Sequence, residues 1–282
     1  MSSINKRTGP ALYSVENNLR GGACAMCGGL SQTITVCSDN AIADRLATTE
    51  AGRAKRNFDM NGSYRFFWAQ GTACLAPQIV LEETGSDHEI VSVDLSRGEH
   101  NTPEYLKLNP AGTVPALVCP DGQVLSEAAA LCLYLGELHP GVGLVPAVGD
   151  TRRGTFLRWL IYLTNTVQVA YKRFYYPERF STDPAHAPAI KERAVENLFA
   201  VWRPVEAHLG EKGPYFLGEA CSVADIYMLM LATWFEPVDD LRQACPAVAE
   251  ACELMSRRPA VAKCLDMQNG ISIGRTAHSP LE

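Results

Sequence analysis

Leu108-Asn-Pro-Ala-Gly-Thr-Val-Pro-Ala-Leu-Val-Cys-Pro-Asp-Gly-Gln-Val-Leu-Ser-Glu-Ala-Ala-Ala-Leu131 carries a loop, two strands and a helix start in one run. Val114-Pro115-Ala-Leu-Val118 reads as a strand, Asp121-Gly122 as a turn, Gln123–Leu125 as a short strand and Ser126–His139 as a helix. Upstream, Tyr64-Arg-Phe-Phe-Trp68 is aromatic and strand-like, and Ala69-Gln-Gly71 is turn-forming. Thr72 can cap a helix through Cys74, Ile79, Leu81 and Glu83 that Gly85 ends. His88–Leu95 alternates as a second strand, and Pro103–Leu108 makes a helical turn. The order β-α-β-α-β-β-α predicts a small mixed sheet with helices on its faces.

Downstream the pattern becomes wholly helical. Pro140–Asp150 reads as a linker, and Thr151–Tyr176 is amphipathic, with Phe156, Trp159, Leu160 and Leu163 on one side. Helices over Pro184–Leu209, Val223–Phe235, Pro246–Arg257 and Pro259–Met267 follow. Ser222-Val-Ala-Asp225 is a capping box with Cys221 and Ile226 placed as a staple, which gives Asp225 a structural role. Residues 62–142 therefore form an α/β domain and 150–270 an all-α domain.

Residues 1–59 carry no sustained period and Met60 opens the first convincing strand, so the leader is bounded at residues 1–61. That stretch reads as an unpatterned, disordered leader. Glu16 and the glycine-broken Ala23–Leu30 make it a poor signal peptide. Cys24-Ala-Met-Cys27, with Cys37 beyond it, has no histidine before His88 to complete a zinc site. The ten cysteines are irregularly spaced in a chain of 282 residues, which suits free thiols in a reducing, cytoplasmic compartment.

Lys and Arg total 25 against 31 Asp and Glu, a net charge of −6 that argues against a dedicated nucleic-acid or anionic-membrane binder. The longest apolar stretch, Ile226 to Phe235, falls well short of the roughly 20 residues that span a bilayer. The six histidines are scattered without HxxxH or HExxH spacing, so no metal site is expected.

Four landmarks then carry a family likeness. Phe66 to Pro77 (Phe-Phe-Trp-Ala-Gln-Gly-Thr-Ala-Cys-Leu-Ala-Pro) resembles the first strand-turn-helix of bacterial, beta-like glutathione transferases. Leu108 to Leu117 resembles that superfamily's loop into its cis-proline strand, and Ser126-Glu-Ala-Ala-Ala-Leu131 resembles its γ-glutamyl-binding helix start. Phe216-Leu-Gly with Ser222-Val-Ala-Asp225 resembles the capping motif of its helical domain. The resemblance implies a thioredoxin-like domain followed by an all-helical C-terminal domain, glutathione as co-substrate, a hydrophobic electrophile as partner, detoxification as role and a homodimer as assembly.

Glutathione is an extended tripeptide with two carboxylates and an ammonium, so its site needs main-chain pairing and charge capture. Pro115, if cis, turns the Val114 N–H and C=O outward to pair with that backbone. Glu127 offers a carboxylate to the γ-glutamyl ammonium, and the free N–H groups at Ala128 suit the γ-glutamyl carboxylate. The serine that often follows this glutamate is Ala128 here. The Asn and His that beta-like enzymes draw from the helical domain correspond to Ile161 and Gln168.

For the group that activates the thiol, the tyrosine position holds Phe67 and the beta-like cysteine position holds Ala73. Two candidates flank the latter. Thr72 can donate a hydrogen bond, and Cys74 would sit in the first helical turn, where a thiol pKa falls. A hydroxyl favours conjugation; a cysteine favours thiol exchange. Arg173-Phe-Tyr-Tyr-Pro177 and Trp234-Phe235 either line the electrophile pocket or pack the core. The leading expectation is a glutathione transferase. Reductive dehalogenation, ether cleavage or isomerisation, and a non-catalytic interaction module, stay open beside it.

Overall fold

Tyr64–Trp68 alternates a buried Tyr64 and Phe66 with an exposed Arg65, and this alternation makes it the strand β1 with one face in the core. The computed structural model describes residues 62–268. Expectations for residues 1–61, including the leader, the CxxC and the Met60 strand start, lie outside the described residues. Strand β1 pairs in parallel with β2 (His88–Ser92) and antiparallel with β3 (Ala116–Val118), which pairs antiparallel with β4 (Val124–Ser126). The sheet order is β2-β1-β3-β4, with Phe66 opposite both Ile90 and Leu117.

Helices α1 (Leu75–Thr84) and α3 (Ala128–Leu138) pack together, and α2 (Pro103–Leu108) lies between β2 and β3 in the chain. Gly85 ends α1 in the left-handed conformation, as the sequence predicts. Strand β2 stops at Ser92, three residues short of expectation. The Asp94 carboxylate accepts from the Ser96 and Arg97 N–H groups at 2.9 and 3.2 Å, and that local turn competes with the ladder.

The helical domain comprises α4 (Arg153–Tyr162), α5 (Gln168–Tyr175), α6 (Ala187–Lys212), α7 (Val223–Ala232), α8 (Val238–Ala244), α9 (Pro246–Ser256) and α10 (Pro259–Met267). The expected continuous helix over Thr151–Tyr176 is interrupted by a π-helical segment, Leu163–Val167, between α4 and α5. Its wider turn changes the phase of the helix face, a feature common next to sites. Helix α8 has no counterpart in the sequence reading, because Val238–Ala244 buries Leu241 alone.

Helix α7 is buried along its whole length, so its run of apolar residues reflects the middle of the core rather than a membrane span. Among the described residues no helix is long and apolar enough to cross a membrane. The capping box forms as expected: Asp225 accepts from the Ser222 N–H at 2.8 Å and from its hydroxyl at 2.7 Å. Its other oxygen accepts from the Phe216 N–H at 2.9 Å, tying the preceding loop to the helix start.

The two halves are pinned together by α10. Arg258 donates both arms of its guanidinium fork to Glu83 of α1, each at 2.7 Å. The fully buried Gln78 accepts from the Trp68 indole at 2.9 Å and donates to Met267 Sδ at 3.1 Å.

Candidate active site

A cavity of about 530 Å³ lies where the sheet domain meets the helical domain. Its floor is the turn after β1. Gly71 has φ +69°, a conformation glycine adopts without strain, and the chain then enters α1 through Thr72. The Thr72 hydroxyl donates to the Ala69 carbonyl at 2.8 Å and accepts from the Cys74 N–H at 3.3 Å. Thr72 and Ala73 both line the cleft.

Cys74 does not join them. Its side chain turns into the core and is fully buried, with Sγ accepting from the Ala69 N–H at 3.4 Å. Burial pushes the thiol up to about 11, against weaker downward pulls from Thr72 and the Ala69 N–H. This corrects the expectation of an acidified thiol at the helix start. Desolvation there outweighs anything the helix end contributes, so the thiol is protonated at neutral pH.

The second wall is the loop into β3. Asn109 is buried and donates its amide to the Thr113 carbonyl at 2.7 Å, and the Tyr105 hydroxyl donates to the same oxygen at 2.7 Å. Gly112 has φ +58°, and a Cβ there would meet Asn101 Oδ1 at 3.2 Å. The loop so held delivers Val114 to the cleft through a cis Val114–Pro115 bond, with Pro115 buried behind it. No hydrogen bond holds the Val114 main chain among the described residues.

Ala116 pairs with Ser126, so Val114 and Glu127 stand at the same end of the β3–β4 hairpin. Glu127 is exposed and precedes α3 with φ +70° and ψ 104°, a region costly for a residue with a Cβ. Ala128 is buried beside it. Glu127 and Ala128 do not line the cavity itself but stand beyond Val114 at the end of the hairpin.

Three polar residues of the cleft escaped the sequence reading as donors. His100 lines it and keeps Nδ1 buried without a partner. Gln268 is nearly fully buried; its Oε1 accepts from the Gly71 N–H at 2.8 Å, while its Nε2 has no partner. Gln168 lines the cleft and accepts from the Tyr227 hydroxyl at 2.6 Å. Of the pair singled out on the first helix of the second domain, Ile161 instead faces outward, 53% exposed. The aromatic-rich segments divide: Tyr175, Tyr176 and Trp234 line the cleft, whereas Phe174 and Phe235 are core.

Such a cleft offers an unpaired main-chain edge, unpartnered donors and an aromatic wall around a helix-start hydroxyl. Comparison with known proteins agrees with this layout. Residues 73–138 match the glutathione S-transferase N-terminal domain, and residues 188–261 match the glutathione S-transferase C-terminal domain. Glutathione S-transferase GstA of Escherichia coli O157:H7 is 28% identical over 205 residues, covering 72% of this chain and 98% of that one. A solved glutathione transferase homologue from Sulfitobacter with bound glutathione is 29% identical with a TM-score of 0.68, covering 73% of this chain and 98% of its own. A sphingomonad glutathione S-transferase complexed with glutathione is 33% identical with a TM-score of 0.62, covering 73% of this chain and 98% of its own. With both domains matched in order and nearly the full length of these relatives covered, the chain belongs to the glutathione S-transferase family.

Proposed function

We propose that this enzyme is a glutathione transferase in which the Thr72 hydroxyl, not a cysteine, activates the glutathione thiol for attack on a hydrophobic electrophile. The observation that carries the reading is that Thr72 and the unpaired Val114 main chain line one cleft. The cysteinyl part of glutathione pairs with Val114, which sets its sulfur over Thr72. The γ-glutamyl ammonium meets Glu127, and its carboxylate meets the open N–H groups at the start of α3. The unpartnered His100 ring nitrogen faces the glycyl end.

A thiol with a pKa near 8.5 is mostly protonated at neutral pH, and lowering it by two units takes about 2.7 kcal/mol. One hydrogen bond to a charged sulfur supplies roughly 1.5–3 kcal/mol, and a helix start about 0.3–1 kcal/mol more. Rotation about the Thr72 Cβ–Oγ1 bond moves its proton from the Ala69 carbonyl to the thiolate. The thiol proton leaves to solvent. The sulfur then forms its bond to the electrophilic carbon as the leaving group departs with its electron pair. Because Cys74 is buried and protonated, conjugation is favoured over thiol exchange.

A detoxification role, a homodimer and a cytoplasmic location belong to the same proposal. The seven described cysteines are all free, which suits a reducing compartment. Calorimetric titration with glutathione and with cysteinylglycine, alongside a chloronitrobenzene conjugation assay, tests the site. Saturable turnover is expected, with cysteinylglycine binding at least about tenfold more weakly through loss of the charged γ-glutamyl contacts. Equal affinities for the two would overturn the assignment of Glu127 and α3.

A further inference from the structure

We propose that the half of the cleft built by the helical domain takes flat, anionic electrophiles, aromatic carboxylates above all, and that Lys172 and Arg179 select them. This rests on the glutathione reading of the other half.

The aromatic wall is fixed in place. The Tyr171 ring meets Trp234 edge-on at 5.8 Å and stacks on Tyr175 at 6.3 Å. The Trp202 indole donates to the Tyr171 hydroxyl at 3.1 Å, and the Tyr175 hydroxyl donates to the Trp234 carbonyl at 2.5 Å. With both tyrosine hydroxyls already bonded, these rings offer apolar faces suited to a planar arene.

The charges along that wall are unbalanced. Glu236 also lines the cleft, its carboxylate 3.1 Å from the Tyr175 hydroxyl, so the wall carries two cations, Lys172 and Arg179, against one carboxylate. Lys172, in the last turn of α5, has no ion pair or side-chain hydrogen bond among the described residues. Arg179 lies over the Tyr176 ring at 4.2 Å and reaches Glu178 only at 3.7 Å, which leaves most of its donor fork unused. Gln268 Nε2 adds a buried donor without a partner. Donors therefore exceed acceptors on this side.

Glutathione does not consume that excess. Its two carboxylates are assigned to the α3 start and to His100, both of the sheet domain. A ring laid on the aromatic wall, with its carboxylate reaching the Lys172 and Arg179 cations, uses what remains. The carboxylate is a binding handle, and the reaction is unchanged: the glutathione sulfur bonds to the ring carbon bearing the halide, and halide leaves with the electron pair.

The test compares 4-chloro-3,5-dinitrobenzoate with its neutral N-methylamide at saturating glutathione. Wild-type kcat/KM, divided by each arene's uncatalysed rate with glutathione, is expected to favour the acid about fivefold, the effect of two partly exposed ion pairs, and added salt should erode that preference. In the double variant Lys172→Met, Arg179→Met the acid-to-amide ratio is expected to fall to about one. Equal wild-type values, or a ratio the double variant keeps, overturns the proposal and leaves the glutathione reading standing. Calorimetry separates the two levels. If glutathione binds and neither arene reacts, the aromatic class is wrong and the proposal falls with it. If glutathione itself does not bind, the underlying reading falls.

Discussion

Tyr227 donates its hydroxyl to Gln168 Oε1 at 2.6 Å, and this bond decides which end of the Gln168 amide stays free to donate. Tyr227 is almost fully buried, and Gln168 is the acceptor its proton has among the described residues. The amide oxygen is therefore taken, which leaves Nε2 as the donor end of a side chain that lines the cleft. Gln168→Glu replaces that donor by a carboxylate of the same shape. The pKa of bound glutathione, followed by thiolate absorbance, is expected to rise by about one unit, as like charges impose. Tyr227→Phe frees the amide to turn and should raise it less. An unchanged value in both variants would remove Gln168 from the thiol's surroundings.

Thr72 and Cys74 are two residues apart and make opposite predictions. Thr72→Val removes the donor and keeps the shape, so conjugation of a chloronitrobenzene should fall about 10- to 100-fold, the equivalent of 1.5–3 kcal/mol. Thr72→Ser should retain most of the rate. Cys74→Ala is expected to leave the rate within about twofold and to lower stability by about 1 kcal/mol, the cost of a small cavity. Collapse of activity in Cys74→Ala alone would return the role to the cysteine.

The order of elements was legible because each carries its own local signal: the aromatic run at Tyr64–Trp68, the Asp121-Gly122 turn, the Ser222–Asp225 box. That Thr72 and Val114 reach the cleft was legible for the same reason, since a turn and a proline-bearing strand mark their positions. Burial direction was not. Cys74 differs from Ala73 by one step around a helix start, and that step separates the core from the cleft. Gln268 was hidden because it follows the last periodic helix and reaches the cleft only through tertiary packing with Gly71. The π-helical segment, which sets the phase of Gln168, Tyr171 and Lys172, leaves no mark on the apolar pattern.

The Glu83–Arg258 pair joins the first helix to the last, and its carboxylate side chain is only 10% exposed. Removing one partner strands a charge in a partly dry setting, so Glu83→Gln is expected to destabilise the fold by about 2 kcal/mol. Arg258→Lys keeps the charge but loses the fork, and should cost about 1 kcal/mol. Urea unfolding midpoints at constant slope measure both. No change in either would show that α10 docks through Gln78, Met267 and its apolar face alone.

Asp225 gives stability a pH dependence whose sign follows from its burial. Desolvation pushes its carboxyl up to about 6, while the Phe216 N–H and the Ser222 hydroxyl and N–H pull it back down. Its folded pKa thus lies above the unfolded value near 3.9, so between those values the native state holds a proton that the unfolded chain has released. From this group, stability is greatest below about pH 4 and declines as pH rises towards 6. Asp225→Asn cannot titrate, and it also turns a donor towards the Ser222 N–H, so it should lower stability at every pH by about 1–3 kcal/mol. The informative quantity is the difference in urea midpoint between wild type and Asp225→Asn across pH 4–6, where wild type is expected to lose ground as pH rises. A difference that grows with pH instead would show that the three donors outweigh burial and hold this carboxyl below its ordinary value.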